Sequence, residues 1–597
     1  MKFDKFLFAL TAAFCLIAGT VQAKPNLNEL VNAYIEEWTG FYPSNAFRNG
    51  LRPAAWQFED FSGDRVGEWI AYNRRTLEML DSMPALSVNE QVDVRVLRRQ
   101  ARRELERWVH DSALVNQPAW YAEVISQALT YILVREQFTP EDKLEAVLQR
   151  LMGVQSLCEL GITNLQNGSR ERTQRAVEVL ERTKTFYRDS LPGIMHDWSG
   201  GNQHEQVTQV ISDTVNTVDA LLRHIRETVL PDASIPDRLD DRDYARKLRI
   251  YTDSDLTPAQ LRDSAAAEIE EVRRLMAIEA EAWWNEQGSG SPMPAEENEL
   301  LEAVMAEMER ARSDNRSDFL IFFREMTDRA ETFLLQNDLA TVPLPRTIYV
   351  GLSPDHFSGA AYGGVYSAGP FNPGADTLFY LPSIPDDSTP DQKDGFYRSF
   401  NDHFNTMIIA HEIYPGHYLQ LKVGAGAAPA LRTLFANGVY IEGWGTFSEE
   451  LMLDAGWDDH NRLTRLAHLR KRLENATRAY VSVMVHVHDW NKEQVMEFAV
   501  TRGLLPPQFA ANLWARVMNN PLQIPSYFLG FHGFRELWAE QNRRLGEHFK
   551  TREFVDKVLR AGPIPIDALS SLLNRARCYR GGTVAAVAGG NDQEAGN

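Results

Sequence analysis

Apolar residues along most of this chain recur at intervals of three and four, the spacing of one face of a helix. Between about Asn26 and Gln336 the pattern predicts a succession of amphipathic helices. One is Val88 to Asp111, where Val92, Val96, Leu97 and Leu105 interrupt a strongly charged surface. Another opens at Thr257-Pro258, a capping threonine followed by proline at the first helical position, and carries Leu261, Ile269, Val272 and Leu275. Turns are expected at Asn167-Gly168-Ser169, Ser199-Gly200-Gly201 and Gly288-Ser289-Gly290-Ser291-Pro292. No fixed-period repeat runs through these segments, which argues against a solenoid.

The pattern changes between Thr341 and Pro390. Thr347-Ile348-Tyr349-Val350 and Thr377-Leu378-Phe379-Tyr380-Leu381 read as short strands separated by a glycine-rich, aromatic loop from Gly359 to Gly374. Such an edge can align an extended peptide through its backbone, or it can be a local hairpin packed on helices. Helical pattern resumes near Thr389-Pro390 and continues to Leu573, with Phe404, Ile408 and Ile409 marking a buried helix from Phe400 to Tyr414. After Arg580 only Gly, Ala and polar residues without periodicity remain, and disorder is expected there. The expectation is a mainly α, two-lobed fold: a helical lobe over 24–340, a second helical lobe with a small β element over 341–580, and a tail over 581–597.

Composition narrows the functional classes. A chain of 597 residues exceeds what one core usually organises, which fits two lobes with a channel between them. A net charge of -20 argues against partners bound through phosphates, so nucleic acid and anionic membrane surfaces are poor candidate partners. The N-terminus reads as a signal peptide over 1–23: Lys2 and Lys5 precede an apolar run from Phe6 to Ile17, and Val21-Gln22-Ala23 offers a cleavage site. Phe14 stands before Cys15 where a lipoprotein needs a small residue. Export to the periplasm or the medium is therefore expected, with no membrane span in the mature chain. Cys158 and Cys578 remain after cleavage, too far apart in sequence to define a disulfide framework.

The chemistry concentrates at His411-Glu412-Ile413-Tyr414-Pro415-Gly416-His417. Helical zinc hydrolases carry two histidines four apart with a glutamate after the first, because positions i and i+4 share a face. Six residues on a regular helix turn ~600° and would leave His411 and His417 ~120° apart. Pro415 and Gly416 answer this by breaking the helix between them. Taken alone, the pair also fits a helix end, a Pro-Gly turn and two unrelated histidines. Glu442, in Ile441-Glu442-Gly443-Trp444-Gly445, opens the next helical segment and supplies the carboxylate that completes a His-His-Glu site with a position left for water. Glu449, seven residues on, shares nearly the same face and is placed to orient a ligand from behind. Glu412 is the expected general base.

These segments, together with Pro521-Leu522-Gln523-Ile524-Pro525-Ser526-Tyr527-Phe528-Leu529-Gly530, resemble the successive signatures of the bacterial "domain of unknown function 885" family. That family is similar in arrangement to helical zinc peptidases of the thimet-oligopeptidase and angiotensin-converting-enzyme type. The resemblance implies one Zn2+ per chain and hydrolysis of a peptide or small amide substrate. Tyr527 is the candidate donor to the oxyanion, with His486 and Arg516 as alternates. An amidase acting on a non-peptide, or an inactive peptide-binding protein of the same fold, would carry the same motifs.

Overall fold

The computed structural model describes residues 26–575 other than 85, 136–137, 200–203, 288–291, 354–363 and 368. The signal peptide, the tail, Cys578, the turns expected at Gly200-Gly201 and 288–291, and residues 359–363 and 368 of the glycine-rich loop therefore lie outside the described residues.

The fold is mainly α, with one three-stranded sheet among the described residues. The helix predicted from Thr257 runs Pro258–Gln287 and buries Leu261, Ala265, Ile269, Val272, Met276 and Ala280. That stripe repeats every three or four residues and packs along Arg462–Val487, through Leu466, Leu469, Leu473, Ala476, Ala479 and Val483. A buried ion pair, Arg472 to Glu268 at 2.8 Å, fixes the register of the two helices. A larger core joins helices from the first 230 residues to the segments 319–340, 409–457 and 531–573.

Packing therefore does not follow a division at residue 340. Phe435 stacks edge-on against Tyr34 and Trp38 near the start of the chain, and Arg95 pairs with Asp567 near its end. The break in hydrophobic pattern at 341 marks a change of secondary structure, because each lobe draws helices from both parts of the chain.

The sheet contains β1 (Ile348–Leu352), β2 (Gly364–Tyr366) and β3 (Thr377–Leu381) in the order β1-β3-β2. The two predicted strands pair parallel, and β2, from within the glycine-rich segment, adds antiparallel to β3. A parallel pair needs a long connection, which the loop supplies.

Five helices carry or flank the histidine segment: α1 (Asp402–Glu412), α2 (His417–Ala427), α3 (Gly438–Asp454), α4 (Arg462–Val487) and α5 (Ser526–Leu545). The sheet lies beside α2, with the Thr347 amide donating to the Tyr418 hydroxyl at 3.3 Å and Lys422 donating to the Ala375 carbonyl at 2.9 Å. α1 lies where the cores meet, placing Ile409 and Ala410 in one and Met407 in the other. A channel of about 3470 Å³ is lined by residues from both parts of the chain, among them Trp38, Arg103, Tyr251, Glu412, Ile441 and Arg478. Among the described residues no helix is long and apolar enough to cross a membrane.

Candidate metal centre

α1 opens with the Asn401 side chain accepting from the Phe404 amide and ends at Glu412, two residues earlier than the apolar pattern suggests. The departure begins at Ile413 (φ -120°, ψ -77°) and passes through a cis Tyr414–Pro415 bond to Gly416. A Cβ at Gly416 would lie 1.8 Å from the His411 carbonyl oxygen, so only glycine lets the chain fold back this closely. The Pro415 carbonyl, freed by the break, accepts from the Trp444 indole at 2.9 Å. His417 then starts α2, and the imidazoles of His411 and His417 meet at 4.7 Å between ring centres and 84° between planes.

His411, Glu412 and His417 each offer a donor atom, and these atoms lie within 4.8 Å of one another. The histidines are held by their far nitrogens. His411 Nδ1 lies 2.7 Å from Glu449 Oε1, and His417 Nδ1 lies 3.2 Å from Gln420 Oε1. With Nδ1–H donated outwards, each ring in its neutral form keeps its Nε2 lone pair for a metal, and His417 must first give up its second proton. Glu449 is fully buried, and its second oxygen accepts from His468 Nδ1 at 2.7 Å. Burial pushes the Glu449 carboxyl up, but the hydrogen bonds from His411 and His468 outweigh it and hold the group ionised.

Glu442 stands beside this cluster, its Oε2 3.6 Å from His417 Nε2. Gln523 Nε2 reaches both Glu442 Oε1 and the Tyr527 hydroxyl at 3.4 Å. The spacing comes from the backbone: α3 and α5 cross at Gly443 and Gly530, where a Cβ on Gly443 would lie 2.2 Å from Gly530 Cα. Glu442 and Tyr527 sit one and three residues before those glycines, so the contact sets their separation. The Tyr527 ring lies 6.4 Å from that of His411. Burial and then the Glu442 charge push its phenol well above the ordinary value, so it remains a hydrogen-bond donor at neutral pH.

The alternates lie elsewhere. His486 places Nδ1 as acceptor for the Leu239 amide at 3.0 Å and Nε2 as donor to the Val517 carbonyl at 3.1 Å, so neither nitrogen is available to an oxyanion. This corrects the sequence expectation: the imidazole is a cross-link between segments. Arg516 lines the channel wall near Glu474 and Arg478 rather than the histidines. Sequence reasoning missed Gln420, His468 and Gln523. Gln420, one turn after His417 on α2, and Gln523, within the signature over 521–530, carried a local signal, and His468 carried none.

The donor set fits a divalent, nitrogen-preferring cation: two imidazoles fixed in one tautomer and two carboxylates within reach. The electrostatics agree. Burial opposes a charge on His417, yet the Glu442 and Glu412 carboxylates hold its pKa up at about 9, so the site attracts positive charge.

Fold and site together define a mainly helical protein with a candidate two-histidine metal centre on a deep channel. The model of the family described as "Bacterial protein of unknown function (DUF885)" matches residues 43–573, and the chain belongs to that family. No curated protein matches the chain. Two solved structures share the fold. One, described as a candidate lipoprotein of unknown function from Shewanella oneidensis, is 18% identical with a TM-score of 0.74, covering 92% of this chain and 100% of its own. The other, described as a candidate lipoprotein from Colwellia psychrerythraea, is 16% identical with a TM-score of 0.77, covering 92% of this chain and 98% of its own.

Proposed function

We propose that this protein is an exported zinc-dependent hydrolase, a peptidase, holding one zinc ion per chain through His411, His417 and Glu442. The observation that carries the proposal is the meeting of His411, Glu412 and His417 donor atoms within 4.8 Å, with Glu412 lining a channel of about 3470 Å³. Export is supported by the N-terminal signal pattern and by the description of both structural neighbours as candidate lipoproteins.

Zinc bound there supplies a Lewis acid that polarises the scissile carbonyl and acidifies a water molecule. The chain's residues do the rest. Glu449 and Gln420 orient the imidazoles. Glu412, next in sequence to His411 and lining the channel, takes a proton from the attacking water and delivers it to the leaving amine. Tyr527 donates to the oxygen on which negative charge develops, positioned by Gln523 beside Glu442.

The test is metal analysis and peptide turnover in Glu412→Gln. Retained zinc with turnover lowered ~10²-fold or more is expected for a positioned base. Unchanged turnover would move the base elsewhere, and a wild-type protein that takes up no zinc would end the reading.

A further inference from the structure

Beyond the metal centre, the channel wall formed by α4 and the helix Pro507–Asn519 carries an unbalanced charge. Arg470, Lys471, Arg478 and Arg516 line it with a single carboxylate among them, Glu474. Across the chain Asp and Glu outnumber Lys and Arg by 82 to 62, so this wall reverses the overall sign. Glu474 is already engaged, accepting from Lys471 at 3.1 Å and from Arg478. The Arg516 guanidinium has no hydrogen-bond or ion-pair partner among the described residues, and its charge opposes that of Arg478. Two guanidinium groups facing one channel with one shared carboxylate leave a place for an anion, and the planar fork of arginine suits a carboxylate.

The position relative to the chemistry sets which anion. Arg478 lies 5.9 Å from the Tyr527 ring centre, and that ring lies 6.4 Å from His411. The guanidinium is thus at most the sum of these, about 12 Å, from the His411 ring. An extended peptide advances ~3.3–3.6 Å per residue, so no more than about three residues fit between a carbonyl at the metal centre and a carboxylate at this wall.

We propose that Arg478 and Arg516 form a carboxylate-binding subsite, so that the substrates are peptides with a free C-terminal carboxylate, cut one to three residues from that end. The inference rests on the peptidase reading but names the recognition that reading leaves open. Glu474 and Asn475 accept from Arg478 and hold it in place, and Arg516 closes on the anion from the neighbouring helix.

The experiment uses one peptide sequence in three forms: free C-terminal acid, C-terminal amide, and amide with an internal glutamate. Cleavage by the zinc-loaded wild type is followed by mass spectrometry. Binding to the zinc-loaded Glu412→Gln variant, alone and combined with Arg516→Gln or Arg516→Lys, is followed by calorimetry. Arg516 is half-buried and unpaired, so its replacement leaves no orphaned partner to unfold the chain. The expected result is release of one to three C-terminal residues, with the acid bound and cleaved about 10- to 100-fold better than the amide, the range of a charge-assisted contact. That ratio should collapse in Arg516→Gln and partly return in Arg516→Lys. Equal handling of acid and amide with cleavage intact overturns the subsite and leaves the peptidase. An acid preference that survives Arg516→Gln, or an internal glutamate preferred over the terminal acid, also overturns it. Preferential binding of the acid without cleavage of any form overturns the peptidase reading and keeps the subsite. Neither binding nor cleavage overturns both.

Discussion

Replacing Glu449 by glutamine changes one atom of a fully buried side chain, and the hydrogen bonds around it determine the outcome. Each carboxylate oxygen accepts one imidazole N–H at 2.7 Å, from His411 and from His468. A glutamine can accept from only one of them and presents an amide donor to the other. If that other ring is His411, its proton must move to Nε2, which removes the lone pair facing the metal centre. If it is His468, the ligand survives but loses the negative charge behind it. Changes of this kind lower metal affinity by about 10- to 100-fold, or ~1.4–2.7 kcal/mol. Glu449→Ala leaves both buried N–H groups without an acceptor, at ~1–3 kcal/mol each, and should lower the stability of the metal-free protein as well. Zinc affinity is read by competition with a chromophoric chelator, with thermal melts of the metal-free proteins in parallel. Affinities within twofold of wild type in both variants would refute the role assigned to Glu449.

Three other outcomes are expected. With His417 protonated up to about pH 9 in the metal-free protein, zinc uptake at pH 7.5 should release about one proton, and affinity should rise up to tenfold per pH unit until then; a calorimetric enthalpy independent of buffer ionisation would contradict this. His486 is held neutral by burial, with its pKa depressed to about 4 against 6.5. The unfolded chain therefore takes up this proton first as pH falls. The stability is complete above about pH 6.5 and is lost by about pH 4, by ~3 kcal/mol in all; parallel stability–pH curves for wild type and His486→Gln would exclude it. Gly530→Ala places a Cβ 2.0 Å from the Val439 carbonyl oxygen, so the α3–α5 crossing must open, with ~1–3 kcal/mol lost on denaturant unfolding and weaker turnover as Tyr527 moves; wild-type values of both would show that the crossing yields freely.

The candidate centre was legible where its residues are neighbours in sequence. His411, Glu412 and His417 form one contiguous word, and Pro415-Gly416 announces a broken helix. The break nevertheless starts at Ile413, because the tight return to the His411 carbonyl needs room ahead of the proline. Glu442 and Glu449 are read from the seven-residue face of α3. Gln523 and His468 reach the site from helices or turns whose placement depends on the Gly443–Gly530 crossing and on the α4 interface, which no local pattern encodes. The mainly α class was legible from periodicity. The partition of the cores was not, since a change from three-and-four spacing to alternation at residue 341 says nothing about which distant helices share an interior.

That interleaving has a consequence in time. A chain emerging from one end presents its first 230 residues long before the helices that complete their core, and Arg95 waits 472 residues for Asp567. The segment 244–308 likewise exposes its apolar stripe until α4 arrives. The cluster around Val481, Trp514 and Ile524 can close from one stretch of chain, whereas the two larger cores pair early segments with late ones, so their packing waits on contacts of long sequence separation.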